Sequence, residues 1–207
     1  MRTIQKISEP ASLTAHRKKP HANYDNYPDK DSLRQTLVTE QLGLCCYCQS
    51  RIRPDAAKMK IEHWRCQADH PQLQLDYQNL LAACLGGTGL AQSEQHCDTA
   101  KANQDLSFPL TDRARPIEQK LKFLANGRVE SEDIGIETDL NMVLNLNQSR
   151  LVKNRKAVLT AFQQRLQTGK KLDVSKELSK WDGSTGGEMP EFSQVISYYL
   201  YKKLRRA

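Results

Sequence analysis

Apolar residues recur at helical spacing in three stretches of this 207-residue chain and thin out between them. In DSLRQTLVTEQLGL, residues 31–44, Leu33, Leu37, Val38 and Leu42 follow an Asp-Ser start and predict an amphipathic helix. From residue 148, Leu151, Val158, Leu159, Phe162 and Leu166 share one face of a second helix. In PEFSQVISYYLYKKL, Phe192, Val195, Ile196 and Tyr199 fall at i, i+3, i+4 and i+7, with Pro190 near the expected first turn. Asn126-Gly127 stands between two short apolar-containing runs in KLKFLANGRVES, 120–131, and predicts a hairpin. Residues 1–30 are polar and punctuated by Pro10, Pro20 and Pro28, which reads as an extended arm. Residues 45–110 are rich in cysteine and histidine and contain only short, broken elements. WDGSTGGEMP, 181–190, interrupts the carboxy-terminal part with three glycines.

Composition narrows the class. Hydrophobic residues make up 38% and aromatics only 6%, which indicates a soluble protein with a modest core. No apolar run approaches the roughly 20 residues of a membrane span, and MRTIQKISEP lacks the apolar core of a secretory signal. A cytoplasmic setting without membrane contact is expected, so six cysteines read as thiols or metal ligands before disulfides. The net charge of +7 is uneven: residues 145–207 hold 13 Lys/Arg against 5 Asp/Glu, and the rest of the chain is nearly balanced. That asymmetry points to a polyanionic partner, most simply nucleic acid. The basic helical stretches at 150–171 and 198–206 would serve such a partner or dock an acidic subunit, and the final Arg-Arg-Ala is expected to be mobile.

The cysteines carry more chemistry than the charge does. Cys45 and Cys48 form a C-x-x-C, a spacing that turns two sulfurs toward one ion. Cys84 and Cys97 can complete a tetrahedron for a structural zinc although twelve residues separate them; Cys66 is the substitute for Cys97. Gly86, Gly87 and Gly89 make that interval a loop whose ends can still meet. Cys46 is left as a buried free thiol. A thiol redox protein is the competing reading of C-x-x-C, but no thioredoxin-like βαβ pattern surrounds it.

A second constellation overlaps the first. Glu62-His63 ends a predicted strand in KIEHWRC, Asn79 precedes the apolar turn to Cys84 in DYQNLLAAC, and HCDTAK follows. An acidic residue with histidine, then Asn-Leu, then Cys plus a polar residue with Lys three on, resembles the HNH endonuclease pattern. The resemblance implies a small ββα-metal HNH core with a zinc knuckle, within an α+β and mostly helical chain. The core would span 31–110, between an N-terminal arm, 1–30, and a hairpin with a basic helical region, 111–207. The residue types suit phosphodiester hydrolysis: His63 as general base, Glu62 as an oxygen ligand of Mg2+ or Mn2+, Asn79 holding the loop and His63 itself. Asp98 occupies the second ligand position three before Lys101; His96 is the alternative ligand, with Asp98 then a helix cap. Lys101 would contact phosphate or cap the metal helix. Cys66 stands where the common motif has proline.

The order CCYCQSRI, IEHW, YQNLLAAC, HCDTAKAN, LNLNQSRLVKNR is similar to the PtuB-like HNH proteins of the Septu and retron anti-phage systems. That resemblance implies an antiviral effector nuclease, on DNA before RNA, acting with a PtuA-type ATPase and in some systems a retron reverse transcriptase with its DNA. The alternative is a zinc-stapled module that binds nucleic acid or a partner without catalysis of its own. Outside both constellations, His16, His21 and His70 read as solvated, and Trp64 as packing beneath the site.

Overall fold

The stripe beginning at Leu33 folds as a helix, but a shorter one than its pattern. In the computed structural model, which describes residues 1–168 and 173–205, this helix is α2, Lys30–Glu40, preceded by α1, Ala11–Arg17. Asp29 caps α2 by accepting from Ser32 N. The helix stops before 44 because Leu42 and Gly43 turn left-handed, at φ 55° and 77°. Gln41, the residue after it, spends its side chain on the sheet: Nε2 donates to the Ala82 carbonyl at 2.8 Å and Oε1 accepts from Ala82 N at 2.7 Å. A carboxamide thereby satisfies a strand edge that, among the described residues, no further strand covers.

That strand is β2, Leu80–Ala83, antiparallel to β1, Lys60–His63, with Glu62 opposite Leu81 and His63 opposite Leu80. All four β2 residues are buried. The helix α3, Cys97–Lys101, lies against β1, tied to it by Lys60 and Lys101. A hairpin follows, β3 Leu121–Phe123 with β4 Val129–Ser131. Its turn spans Ala125–Gly127, closed by Gly127 N to Leu124 O and Leu124 N to Arg128 O, with Gly127 at φ 91°. This is a three-residue loop and not a two-residue Asn-Gly turn. The glycine is required twice, since a Cβ there would stand 2.2 Å from the Val152 carbonyl oxygen.

α4, Ile134–Thr138, runs into a π-helical turn, Asp139–Val143. α5, Ser149–Thr168, α6, Val174–Leu178, and α7, Ser193–Leu204, complete the chain. Phe162 of α5 meets Trp181 and Tyr199 edge-on at 5.7 and 5.9 Å, so α5 and α7 pack through the stripes read in their sequences. The structure is mixed α/β and mostly helical. Among the described residues no helix is long and apolar enough to cross a membrane.

Three expectations change. Residues 1–30 are not simply extended: α1 buries Leu13 and His16, and Met1, Ile4 and Tyr27 are also buried. Pro10 stands just before α1 and Pro28 just before the cap of α2, so these prolines punctuate helices. α7 begins at Ser193, because Phe192 is left-handed at φ 54°, which leaves Pro190 outside its first turn. Residues 169–171 of the first basic stretch, and 206–207, lie outside the described residues.

Candidate metal and nuclease site

The four cysteines Cys45, Cys48, Cys84 and Cys97 converge, their sulfurs all within 4.8 Å of one another and every residue buried. Cys45 and Cys97 sulfurs are 3.9 Å apart, Cys48 and Cys84 sulfurs 3.7 Å. Thiolates at about 2.3 Å from a tetrahedral ion stand about 3.8 Å apart, so the cluster has the dimensions of a metal site such as zinc. Burial alone would raise the Cys45 thiol, but hydrogen bonds from the neighbouring thiols hold it well below the usual range. At Cys48 the bond with Cys45 raises the pKa, while those with Cys84 and Cys97 bring it down to about 6. Cys84, through its bonds with Cys45 and Cys48, and Cys97, through burial, are pushed up instead.

The long loop closes where Gly86, φ 57°, accepts from His96 N at 2.9 Å. A Cβ on Gly86 would stand 2.2 Å from the His96 carbonyl oxygen. Two further ties come from the LNLN segment: Leu144 O accepts from Cys97 N at 2.9 Å, and Asn145 Nδ2 donates to Ser93 O and Gln95 O. Cys97 itself lies at φ 56°, a left-handed conformation unusual for a side-chain-bearing residue. Cys46 and Cys66 stay outside the cluster, both buried; burial drives the Cys46 thiol well above its usual value, and Cys66 Sγ bonds Asp69 at 3.2 Å.

His96 and Asp98, on either side of Cys97, go separate ways. His96 Nδ1 lies 3.1 Å from Cys97 Sγ, at the cysteine cluster. Asp98 shares a hydrogen bond with Glu62 and is paired with Lys60 at 3.1 Å. Glu62 is buried, accepting from Tyr47 Oη at 2.7 Å and facing Lys101 Nζ at 3.0 Å. Burial, with Asp98 beside it, pushes the Glu62 carboxyl well above the usual range. Burial would also raise Asp98, but the bond from Glu62 and the charge of Lys60 hold it low.

His63 sits on the opposite side of the strand's alternation, buried, its ring edge-on to Tyr24 at 4.5 Å. Its Nε2 is 3.0 Å from the Gln74 carbonyl, a pure acceptor, so Nε2 carries the proton and Nδ1 is the unprotonated nitrogen. Burial lowers its pKa below the usual value. Asn79 does not bond the ring. Its Oδ1 accepts from Arg65 N at 2.7 Å, and its Nδ2 donates to Arg65 O and Leu73 O at 3.0 and 3.2 Å. Asn79 therefore holds the loop that presents the Gln74 carbonyl. Lys101 is 1% exposed and donates to the His63 carbonyl at 3.2 Å, which removes it from direct phosphate contact. His16 is buried on Asn23 and Asn26, and His70 pairs with Asp105 at 3.3 Å, so neither is merely solvated. Trp64 packs half-buried, its Nε1 donating to Phe108 O at 3.1 Å and its ring beneath Arg65.

Sequence reading missed Tyr47, Gln74, Tyr24 and Lys60. Tyr47 lies inside the CCYC motif, and its central position between ligands was the available signal. The Gln74 contact is a backbone carbonyl and leaves no residue-type signature.

Four buried cysteine sulfurs this close together could hold a metal ion such as zinc. No family model matches the chain. The chain is similar to the Escherichia coli protein named "Retron Ec83 putative HNH endonuclease", 25% identical over 207 residues, covering 78% of this chain and 80% of that protein. This likeness supports the HNH superfamily.

Proposed function

We propose that the chain is a metal-dependent HNH endonuclease that hydrolyses nucleic-acid phosphodiester bonds, with β1, β2 and α3 as a ββα-metal core. Its reading as a retron-type nuclease draws on the name of the E. coli relative, and an antiviral effector role on the motif resemblance. A PtuA-type ATPase partner, and a Septu-like system, rest on the motif resemblance alone. The cysteine cluster fits a structural zinc. The adjacent carboxyl oxygens of Glu62 and Asp98 are the hard donors that a divalent cation takes. When bound there, Mg2+ or Mn2+ would neutralise charge on the phosphate.

The observation that supports the reading is His63: buried, its Nε2 on the Gln74 carbonyl, its pKa held below the usual value by burial, and on the same strand as Glu62. Its Nδ1 lone pair takes a proton from water as the water oxygen bonds phosphorus and the bond to the leaving oxygen breaks. Asn79 keeps the supporting loop, and Tyr47 keeps the Glu62 carboxyl in place.

The test incubates purified protein with DNA and with RNA, with Mg2+ or Mn2+, with and without a PtuA-like ATPase. The parent should cut, DNA before RNA, and His63→Ala should not; a His63→Ala protein that cuts like the parent refutes the reading. Asp98→Ala should be folded, zinc-loaded and inactive, whereas Cys97→Ser should lose zinc and fold together. If His96→Ala is inactive and Asp98→Ala active, the ligand is His96.

A further inference from the structure

α7 has a second face. Val195, Ile196 and Leu200 are buried against the rest of the molecule, while Tyr198, Tyr201, Lys202 and Arg205 stand at i, i+3, i+4 and i+7 and form one stripe along the other side. That stripe forms one wall of a groove of about 510 Å3, whose floor includes Leu121 and Phe123 of β3. Phe123 meets Tyr198 edge-on at 5.9 Å and fixes that ring. Tyr201 is 46% exposed, and Lys202 and Arg205 are exposed. None of these residues belongs to the cysteine cluster or to the His63 site.

We infer that this groove binds single-stranded nucleic acid, with bases stacked on Tyr198 and Tyr201 and phosphates held by Lys202 and Arg205. The inference rests on the nucleic-acid reading above and assigns it a surface outside the reaction centre. An aromatic–cation alternation along one wall is what a single strand requires, since each base offers a π-face and each linkage a negative charge. A duplex buries those faces in its own stack. An acidic protein segment would use the two cations and leave an exposed tyrosine ring without a function. The nearby carboxylate of Glu118 is engaged, accepting from Thr3 N and Thr3 Oγ1 at 2.7 Å each. The basic surplus of residues 145–207 supplies the field that draws a polyanion to this part of the molecule.

The experiment measures fluorescence anisotropy of a labelled oligothymidylate with the full chain and no added divalent cation, over a range of salt. Tyr201→Ala should weaken binding on the order of tenfold. Tyr201→Phe should stay within about twofold of the parent, because stacking uses the ring and not the hydroxyl. Lys202→Gln with Arg205→Gln should flatten the salt slope by about 1.4, about 0.7 for each phosphate of a single strand. A duplex of equal length should bind more weakly. Parent-like binding by Tyr201→Ala, or absence of single-strand binding, overturns the inference. Equal binding of a polyglutamate of matched charge also overturns it, in favour of an acidic protein partner. His63→Ala is carried alongside and should bind like the parent. Binding that survives when no cleavage is found by any variant upholds the groove and rejects the nuclease reading. Cleavage without groove-dependent binding does the reverse.

Discussion

His63 shows how much one backbone carbonyl decides. The Gln74 oxygen accepts a hydrogen bond from Nε2–H, and burial disfavours the charged ring. A pKa lowered from 6.5 means the neutral form, with Nδ1 free, persists below the pH at which an ordinary histidine would protonate. The acid limb of the cleavage rate should therefore fall with a single proton at a midpoint below 6.5. Single-turnover rates across that limb provide the measurement, and a midpoint above 7 would contradict a buried neutral base. Tyr47 acts one step further out. Its hydroxyl is the neutral donor to Glu62 at 2.7 Å, and both residues are buried. Tyr47→Phe leaves that oxygen short of a partner and should cost about 1–3 kcal/mol of stability. Zinc content should stay at the parent level while the Mg2+ concentration for half-maximal cleavage rises. An unchanged Mg2+ requirement would reduce Tyr47 to a packing residue.

At the scale of elements, backbone geometry sets which side chains meet. Gly86 joins the two ends of the cysteine loop at φ 57°, with no room for a Cβ beside the His96 carbonyl. Gly86→Ala should destabilise the protein by more than about 1 kcal/mol, since the strained conformation and the close approach both oppose it. The zinc-to-protein ratio after dialysis should fall with it; an unchanged melting temperature and full zinc loading would show that the loop does not set the cluster. The same local logic explains what the sequence disclosed. α2, α5 and α7 run for eleven, twenty and twelve residues, long enough for a 3.6-residue period to repeat, and the β3–β4 turn carries Asn-Gly. α1 has seven residues, α4 and α6 five each, and one or two turns give the period nothing to repeat on. Cysteine is rare enough to stand out, so the four-sulfur cluster was legible. The carbonyl of Gln74 and the inward Lys101 depend on loop path and were not.

At the scale of the whole molecule, the amino-terminal segment works as a strap across the centre. Ile4 N donates to Leu110 O at 2.7 Å, and Lys6 drives its ammonium into the interior. There Lys6 meets Glu40 Oε1 at 2.5 Å and the Leu80 carbonyl at 2.7 Å, over the Tyr77 ring at 3.8 Å. The two side chains of the ion pair are 5% and 0% exposed. Burial pulls the Lys6 pKa down against the charge of Glu40, so the pair is sustained by mutual contact and not by solvent. Removing one partner strands the other, typically at about 3–5 kcal/mol. Glu40 would keep Tyr77 Oη at 2.6 Å and Ile7 N at 3.2 Å, which places Lys6→Met toward the lower end of that range. Lys6→Met with Glu40→Gln should recover a substantial part of the loss, because the amide keeps the tyrosine partner without a buried charge. Denaturant melts of the two single variants and the double close the cycle. Strictly additive losses would mean that the pair is two independent contacts. The cycle also bears on catalysis, because the same segment continues to Tyr24, whose ring rests on His63. A strap loosened at Lys6 should therefore lower the cleavage rate of the folded protein, and the double variant should restore rate and stability together.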